Sequence, residues 1–229
     1  MHKLLLSVSI AIALPASAGE KQTGIAPGIY SNEEQVYFDK EAKRAAPPWL
    51  SISVTRAGRA VKAEAIDAFG KPVAGAIDSA ALTSSAIPGR LDYRFPGGQT
   101  TELRLARAIT CWVAVRKDKA KADGSEDWYF QRGVKLHDQG GRAQVGGEQT
   151  GAQPVIVRLR NVTWDVGSTN HPVLTLYMHK PENPDHAESY SWAAPDSERI
   201  GINLRWVQSG CSVDTPKASA IPPSATTKG

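Results

Sequence analysis

"LSISVTRAGRAVKAEAID", Leu50 to Asp67, decides the fold class. Leu50, Ile52 and Val54 recur at every second position, and so do Val61, Ala63 and Ala65. A period of two turns one side of each run toward a core and leaves the other for polar residues, which is the pattern of a half-buried β-strand. Ala57-Gly58 between the runs is a hairpin signal. Working outward, strand-like runs recur at "RLDYRF" (Arg90 to Phe95), "TELRLAR" (Thr101 to Arg107), "ITCWVAVR" (Ile109 to Arg116), "DWYFQRGVKLH" (Asp127 to His137) and "RAQVG" (Arg142 to Gly146). "PVIVRLRNVTW" (Pro154 to Trp164), "PVLTLYMH" (Pro172 to His179) and "IGINLRWVQ" (Ile200 to Gln208) complete about ten strands. "AFGKPVAG", "DQGG" (Asp138 to Gly141) and "GGEQTGAQP" (Gly146 to Pro154) read as turns between them. No helical stretch is long enough for parallel crossovers. An all-β, mainly antiparallel fold follows, closed as a barrel or folded as a sandwich. In "TELRLAR", "VIVRLRN" and "INLRWV" the apolar residues point in and the arginines out, toward a wet face.

The two ends of the chain differ from this middle. Lys3, the apolar run Leu4 to Leu14 and the small residues Ala16-Ser17-Ala18 form a secretory signal with cleavage expected after Ala18. The run is too short to span a bilayer. Export to the periplasm, or outright secretion, is the expected localisation. Residues 19–27 read as a flexible start, 28–213 as one β-barrel domain, and 214–229, rich in Pro, Ser, Thr and Ala, as a disordered tail. The 27 Lys and Arg against 23 Asp and Glu give +4 overall. The charges are interleaved, as in "RKDKAKADGSED" (Arg116 to Asp127), without a basic stripe carrying aromatics, so nucleic acid is not an expected partner. Cys111 and Cys211 are the two cysteines. In an oxidising compartment they are expected to pair. Closing a loop of about 100 residues contributes up to roughly 4.7 kcal/mol in the chain-entropy model.

"GIYSNEEQVYF" (Gly28 to Phe38) stands apart from the strand pattern. Ser31 fits an N-cap, and Glu34 three residues on completes a capping box. A helix is expected from Asn32 to about Ala45, stopped by Ala46-Pro47-Pro48. The longer stretch "GIYSNEEQVYFDKEAKRAAPPWLSISVTR" (Gly28 to Arg56) resembles the N-terminal signature of the CpeT/CpcT-like chromophore lyases, a Gly-x-aromatic-Ser-Asn-x-x-Gln element followed by a proline region and a first strand. Tyr30, Ser31, Asn32, Glu34 and Gln35 are the matching positions. The resemblance implies a calycin-type, lipocalin-like antiparallel barrel. It also implies a pocket of the kind that holds open-chain tetrapyrroles, which that family attaches to cysteines of light-harvesting proteins.

Sites of chemistry are sparse. The chain has no G-x-S-x-G elbow, P-loop or H-E-x-x-H, so no catalytic residue is assigned. "HKPENPDHAE" gathers His179, Glu182, Asp185, His186 and Glu188, but its spacing fits no zinc site, and its two prolines suggest a solvated loop. No metal or cofactor is assigned. The aromatics say more. Trp112, Trp128 with its neighbour Tyr129, Trp164 and Trp206 fall on or beside strands, where they either fill the core or line a cavity for an apolar ligand. Trp112, Tyr129, Trp164 and Trp206, with Tyr30, Asn32 and Gln35, are the candidate ligand contacts. The leading expectation is an exported barrel that binds a small apolar or amphipathic ligand without transforming it. An envelope-associated interaction domain with a filled core is the alternative, and a lyase-like enzyme the third. The denatured mass of the protein recovered from the periplasm is expected to match cleavage after Ala18, and to lie about two mass units below the reduced form.

Overall fold

The computed structural model describes residues 24–58, 60–75, 77–164 and 168–214. The expected signal, residues 19–23 and the tail from 215 onward lie outside them. Among the described residues the chain forms β1 (Gly28–Ser31), α1 (Glu33–Glu41), β2 (Ser51–Ala57), β3 (Ala60–Ala65), β4 (Leu82–Ser84), β5 (Arg90–Arg94) and β6 (Thr100–Leu105). β7 (Ala108–Arg116), β8 (Trp128–His137), β9 (Gln139–Gly147), β10 (Ala152–Val162), β11 (Val173–Lys180), β12 (Asn183–Ala193), β13 (Arg199–Asn203) and β14 (Val207–Val213) follow. Every ladder is antiparallel.

The first six strands form one sheet in the order β3-β2-β1-β6-β5-β4. Tyr30, Ile52, Val54, Leu82, Leu91, Tyr93 and Leu103, from five of those strands, bury themselves in one cluster, so the sheet curls around its own core. Ile25 joins that cluster, its carbonyl accepts from the Arg56 guanidinium, and the Ala26 carbonyl accepts from the Tyr30 hydroxyl. Residues 24–27, expected to be flexible, are therefore anchored.

The other eight strands form two four-stranded sheets, β12-β11-β10-β9 and β13-β14-β7-β8. They share a second core: Val113, Val115 and Val207 from one sheet meet Val155, Val157, Leu159, Leu176 and Met178 from the other. Taken in order, β7 to β14 run up and down around this core. Each strand pairs with the next except between β8 and β9 and between β12 and β13, and β14 returns to β7. Two facing sheets, as in a sandwich, are thus visited in the sequential order of an up-and-down barrel. The interior is filled with aliphatic side chains. Cys111 and Cys211 lie directly opposite on β7 and β14 and are joined as a disulfide.

Among the described residues, fourteen strands replace the expected ten. β1 and β4 are only four and three residues long, too short to show a period. β14 was hidden in the run that supplies β13. The "HKPENPDHAE" loop is largely β12, whose Pro184 is tolerated because β12 is an edge strand. "DQGG" is not a hairpin: at Asp138 the chain passes from one sheet to the other. α1 begins at Glu33 with Asn32 in the N-cap position, so the Ser31 capping box is corrected. Ser31 belongs to β1, although its Oγ still accepts from the Glu33 amide. Glu34 faces Arg104 of β6. The helix ends at Glu41, earlier than the prolines require, because Lys43 turns left-handed at φ 55°.

The β8–β9 corner depends on glycine. A Cβ on Gly141 would lie 2.6 Å from His137 Cδ2 and 2.8 Å from the His137 amide nitrogen. Backbone cannot yield there, so Gly141→Ala is expected to cost about 1–3 kcal/mol in denaturant unfolding. Gly97→Ala, where the same atom meets open space, is expected to stay within about 0.5 kcal/mol.

Candidate functional site

Alternation along β10 sends Val155, Val157 and Leu159 inward and Ile156, Arg158, Arg160 and Val162 outward. The register of the sheet then lays two rows across its outer face. Arg142, Arg158, Tyr177 and Tyr190 stand side by side from β9 to β12, and Gln139, Arg160, Thr175 and Trp192 form the next row. One end of each row is polar or basic and the other end aromatic. Tyr177 and Tyr190 are 6.0 Å apart between ring centres, and Tyr190 and Trp192 5.9 Å.

α1 covers the basic end. Asn32 fixes the start of the helix: its side-chain oxygen accepts from the Leu50 amide at 2.8 Å, and its nitrogen donates to the Pro48 carbonyl at 2.8 Å and Thr101 Oγ1 at 3.0 Å. Glu33 then reaches across to the sheet, accepting from Arg158 Nη2 through one oxygen and from Trp49 Nε1, at 2.6 Å, through the other. One turn on, the Tyr37 ring lies over the Arg160 guanidinium, 3.5 Å from its carbon to the ring centre. Arg160 is consequently 3 % exposed. The wet outer face expected for these arginines is, at this position, covered.

Between α1 and the aromatic ends of the two rows opens a cleft of about 500 Å³. Its walls include Tyr37, Trp164, Tyr177, Tyr190 and Trp192, with Arg160 at its base. Trp164 is held by its indole N–H, which donates to the His171 carbonyl at 3.1 Å. Tyr190 and Trp192 are 57 % and 66 % exposed, so a large aromatic area has no neighbour in the protein.

The residues proposed from sequence are distributed otherwise. Of the seven candidate ligand contacts, Trp164 alone lines this cleft. Tyr30 is buried in the first core, and Asn32 is engaged as described. Gln35 accepts from Thr101 Oγ1 at 3.0 Å. Asn32, Gln35 and Trp164 do border a second, polar cleft of about 440 Å³ on the other side of α1. Trp112 stacks on Phe130 on the outer face of the opposite sheet, 5.7 Å between ring centres. Tyr129 and Trp206 pack against the second core. Sequence reading missed Arg160, Tyr37, Tyr177, Tyr190 and Trp192. The signal is present in "ESYSW", whose Tyr190 and Trp192 share a strand face, but this segment is not among the strand-like runs expected from sequence.

A larger cleft, about 650 Å³, lies at one end of the eight strands and is charged. Most of its ions pair with one another: Arg116 with Glu126, Lys117 with Asp127 and Lys180 with Glu188. Asp118, which accepts from Gln153 Nε2 at 3.0 Å, and Glu182 also line it. The chain matches no protein-family model, no curated protein and no solved structure. The site is therefore read from its own geometry. Among the described residues no three His, Cys, Asp or Glu converge as metal ligands, and no helix is long and apolar enough to cross a membrane.

Two buried histidines flank the basic rows. His179 donates from Nδ1 to the His186 carbonyl at 3.0 Å. Burial, with some help from the Arg158 and Arg142 charges, pushes its pKa down to about 4 from 6.5. Burial also lowers that of His137, against the opposing pull of Asp138 and Glu33. The unfolded chain thus takes up protons first as pH falls. The stability that neutral His179 contributes is complete above pH 6.5 and is lost progressively toward pH 4, by about 2–3 kcal/mol. Denaturant unfolding between pH 7.5 and 5 is expected to show that decline, and His179→Gln to reduce its slope.

Proposed function

We propose that this protein binds a small amphipathic ligand in the aromatic cleft between α1 and β10–β12, and does not transform it. The observation that carries the reading is the cleft itself. Four aromatic side chains on adjacent strands or the loop beside them, and a fifth on α1, border a space of about 500 Å³. Small-molecule sites occupy roughly 300–1,000 Å³ and are lined mainly by apolar and aromatic groups with few polar ones. Exposed aromatic area of this kind is retained against the hydrophobic effect, which makes it a candidate contact surface.

Two further points bear on this reading. The core enclosed by the eight strands is filled by residues such as Val157, Leu159 and Met178, so the ligand site is placed outside the strands. The residues carrying the resemblance to chromophore lyases, Tyr30, Ser31, Asn32, Glu34 and Gln35, are bonded to the protein's own backbone and side chains. In this reading they serve the scaffold, holding α1 where it forms the cleft wall. Export rests on the N-terminal signal pattern and is supported by the Cys111–Cys211 disulfide.

A second reading has its own observation. Trp112 and Phe130 form an exposed stacked pair on the opposite sheet, with the Arg132 guanidinium 5.3 Å from the Phe130 ring centre. Aromatic and arginine side chains are enriched at protein interfaces, so an envelope-associated partner would be expected to dock there.

The neutral fluorescent probe N-phenyl-1-naphthylamine is expected to bind the protein at one site with micromolar affinity. Tyr177→Ala and Trp192→Ala are each expected to weaken it about tenfold, equivalent to about 1.4 kcal/mol, while Trp112→Ala leaves it unchanged. Equal sensitivity to all three would move the site away from this cleft.

A further inference from the structure

Arg160 is, among the described residues, a buried cation without an ion-pair partner. It is 3 % exposed, yet its Nε and Nη2 atoms have no hydrogen-bond partner. Its contacts are with ring faces, Tyr37 at 3.5 Å and Phe38 at 5.8 Å. The carboxylate that could reach this part of the sheet, Glu33, is already held by Arg158 and Trp49. Burial, and then the like charge of Arg158, lower the pKa of Arg160 from its ordinary value, against a weaker opposing pull from Tyr177, Glu33 and Tyr37. A guanidinium stays charged under all ordinary conditions. A buried cation without a counter-ion is strongly unfavourable in a free protein, and proteins keep one where something completes it.

The position of this charge matters as much as its burial. Arg160 lies at the base of the aromatic cleft, not beneath a closed core. A molecule whose apolar body rests on Tyr177, Tyr190 and Trp192 would bring its head to the guanidinium. The planar fork of a guanidinium matches a carboxylate in two parallel hydrogen bonds. One unpaired guanidinium also balances a single negative charge, whereas a phosphate monoester would leave about half of its charge unmet.

From this the geometry points to a ligand class: the cleft takes an amphipathic carboxylate monoanion, with Arg160 as the anchor for its head. The inference rests on the cleft reading above and adds the charge and the contact residue.

The test compares dodecanoate, dodecanol, dodecyl phosphate and dodecyltrimethylammonium, each below its micellar concentration at pH 7.5, in displacing N-phenyl-1-naphthylamine from the purified protein. Dodecanoate is expected to displace the probe at least tenfold more tightly than dodecanol or dodecyltrimethylammonium, and more tightly than dodecyl phosphate. Arg160→Met is expected to remove that preference while leaving dodecanol displacement unchanged, and Arg160→Lys to keep part of it. Because Arg160→Met removes an unpaired buried charge, its melting temperature should equal or exceed that of the unaltered protein. Probe binding with equal displacement by dodecanoate and dodecanol would overturn the carboxylate inference and leave the cleft standing. Tightest displacement by dodecyl phosphate would also overturn it, in favour of a dianionic head. Failure of the probe and of all four dodecyl compounds to bind would overturn the cleft and the inference together. Should Arg160→Met not fold, the comparison of head groups on the unaltered protein decides alone.

Discussion

The placement of α1 depends on one carboxylate. Glu33 sits at the first turn of a nine-residue helix with little amphipathic character of its own, and such a helix does not persist without tertiary contacts. By accepting from Arg158 on β10 and from Trp49 just before β2, Glu33 ties the helix to both strand systems at once. Both partners of the ion pair are well covered, Arg158 at 11 % and Glu33 at 16 % exposure. Removing one member of such a pair strands the other charge, at a cost of about 3–5 kcal/mol. The approach is close: a Cβ on Gly140 would meet Glu33 Cγ at 2.8 Å, and Gly140 adopts φ +85°, so glycine is required there on both counts. With Glu33 fixed, Tyr37 has to lie over Arg160.

That arrangement reverses the usual economy of a one-faced sheet. Alternation ordinarily gives water the polar face, and the arginines of β10 obey the alternation while losing the water. Three guanidiniums, Arg142, Arg158 and Arg160, share this face. Glu33 answers one, the exposed Asp185 answers another, and Arg160 is left with aromatic rings. On the other side of α1's first turn, Glu34 and Arg104 repeat the logic with better balance, since Glu102 and Arg90 extend them into a chain of alternating charge across β5 and β6. The asymmetry between the two sides of the helix separates a structural ion network from a site that is short of an anion.

The strands were legible because a period of two is a strong local signal, and "PVIVRLRNVTW" and "ITCWVAVR" report it without help from the rest of the chain. The cysteine pair was legible because the sequence holds two cysteines and its signal-like start set the expectation of an oxidising compartment, where they have one another and nothing else. What escaped were features set by distant partners. β1 is a strand because β2 and β6 flank it, and four residues carry no period of their own. Asn32 is the N-cap residue, but its side chain turns away from the helix to hold Leu50 and Thr101, a use no local motif announces. The cleft escaped for the same reason. Tyr37, Arg160, Tyr177 and Trp192 come from three strands and a helix, and the cross-strand register that assembles them exists only after the sheet does.

The closure of β14 on β7 orders events in time. The two strands that complete the eight-strand circuit are separated by 100 residues at their cysteines, with six other strands between them in the chain. As the chain emerges N-terminus first, the curled six-strand sheet has all its residues early. β7 must wait, with one edge bare, until nearly the last described residue has arrived. Bare edges are templates for pairing with other chains. Until β14 docks, β7 adds one more bare edge to those the finished sheets keep. A covalent bond between these two strands makes the circuit, once closed, hard to reopen.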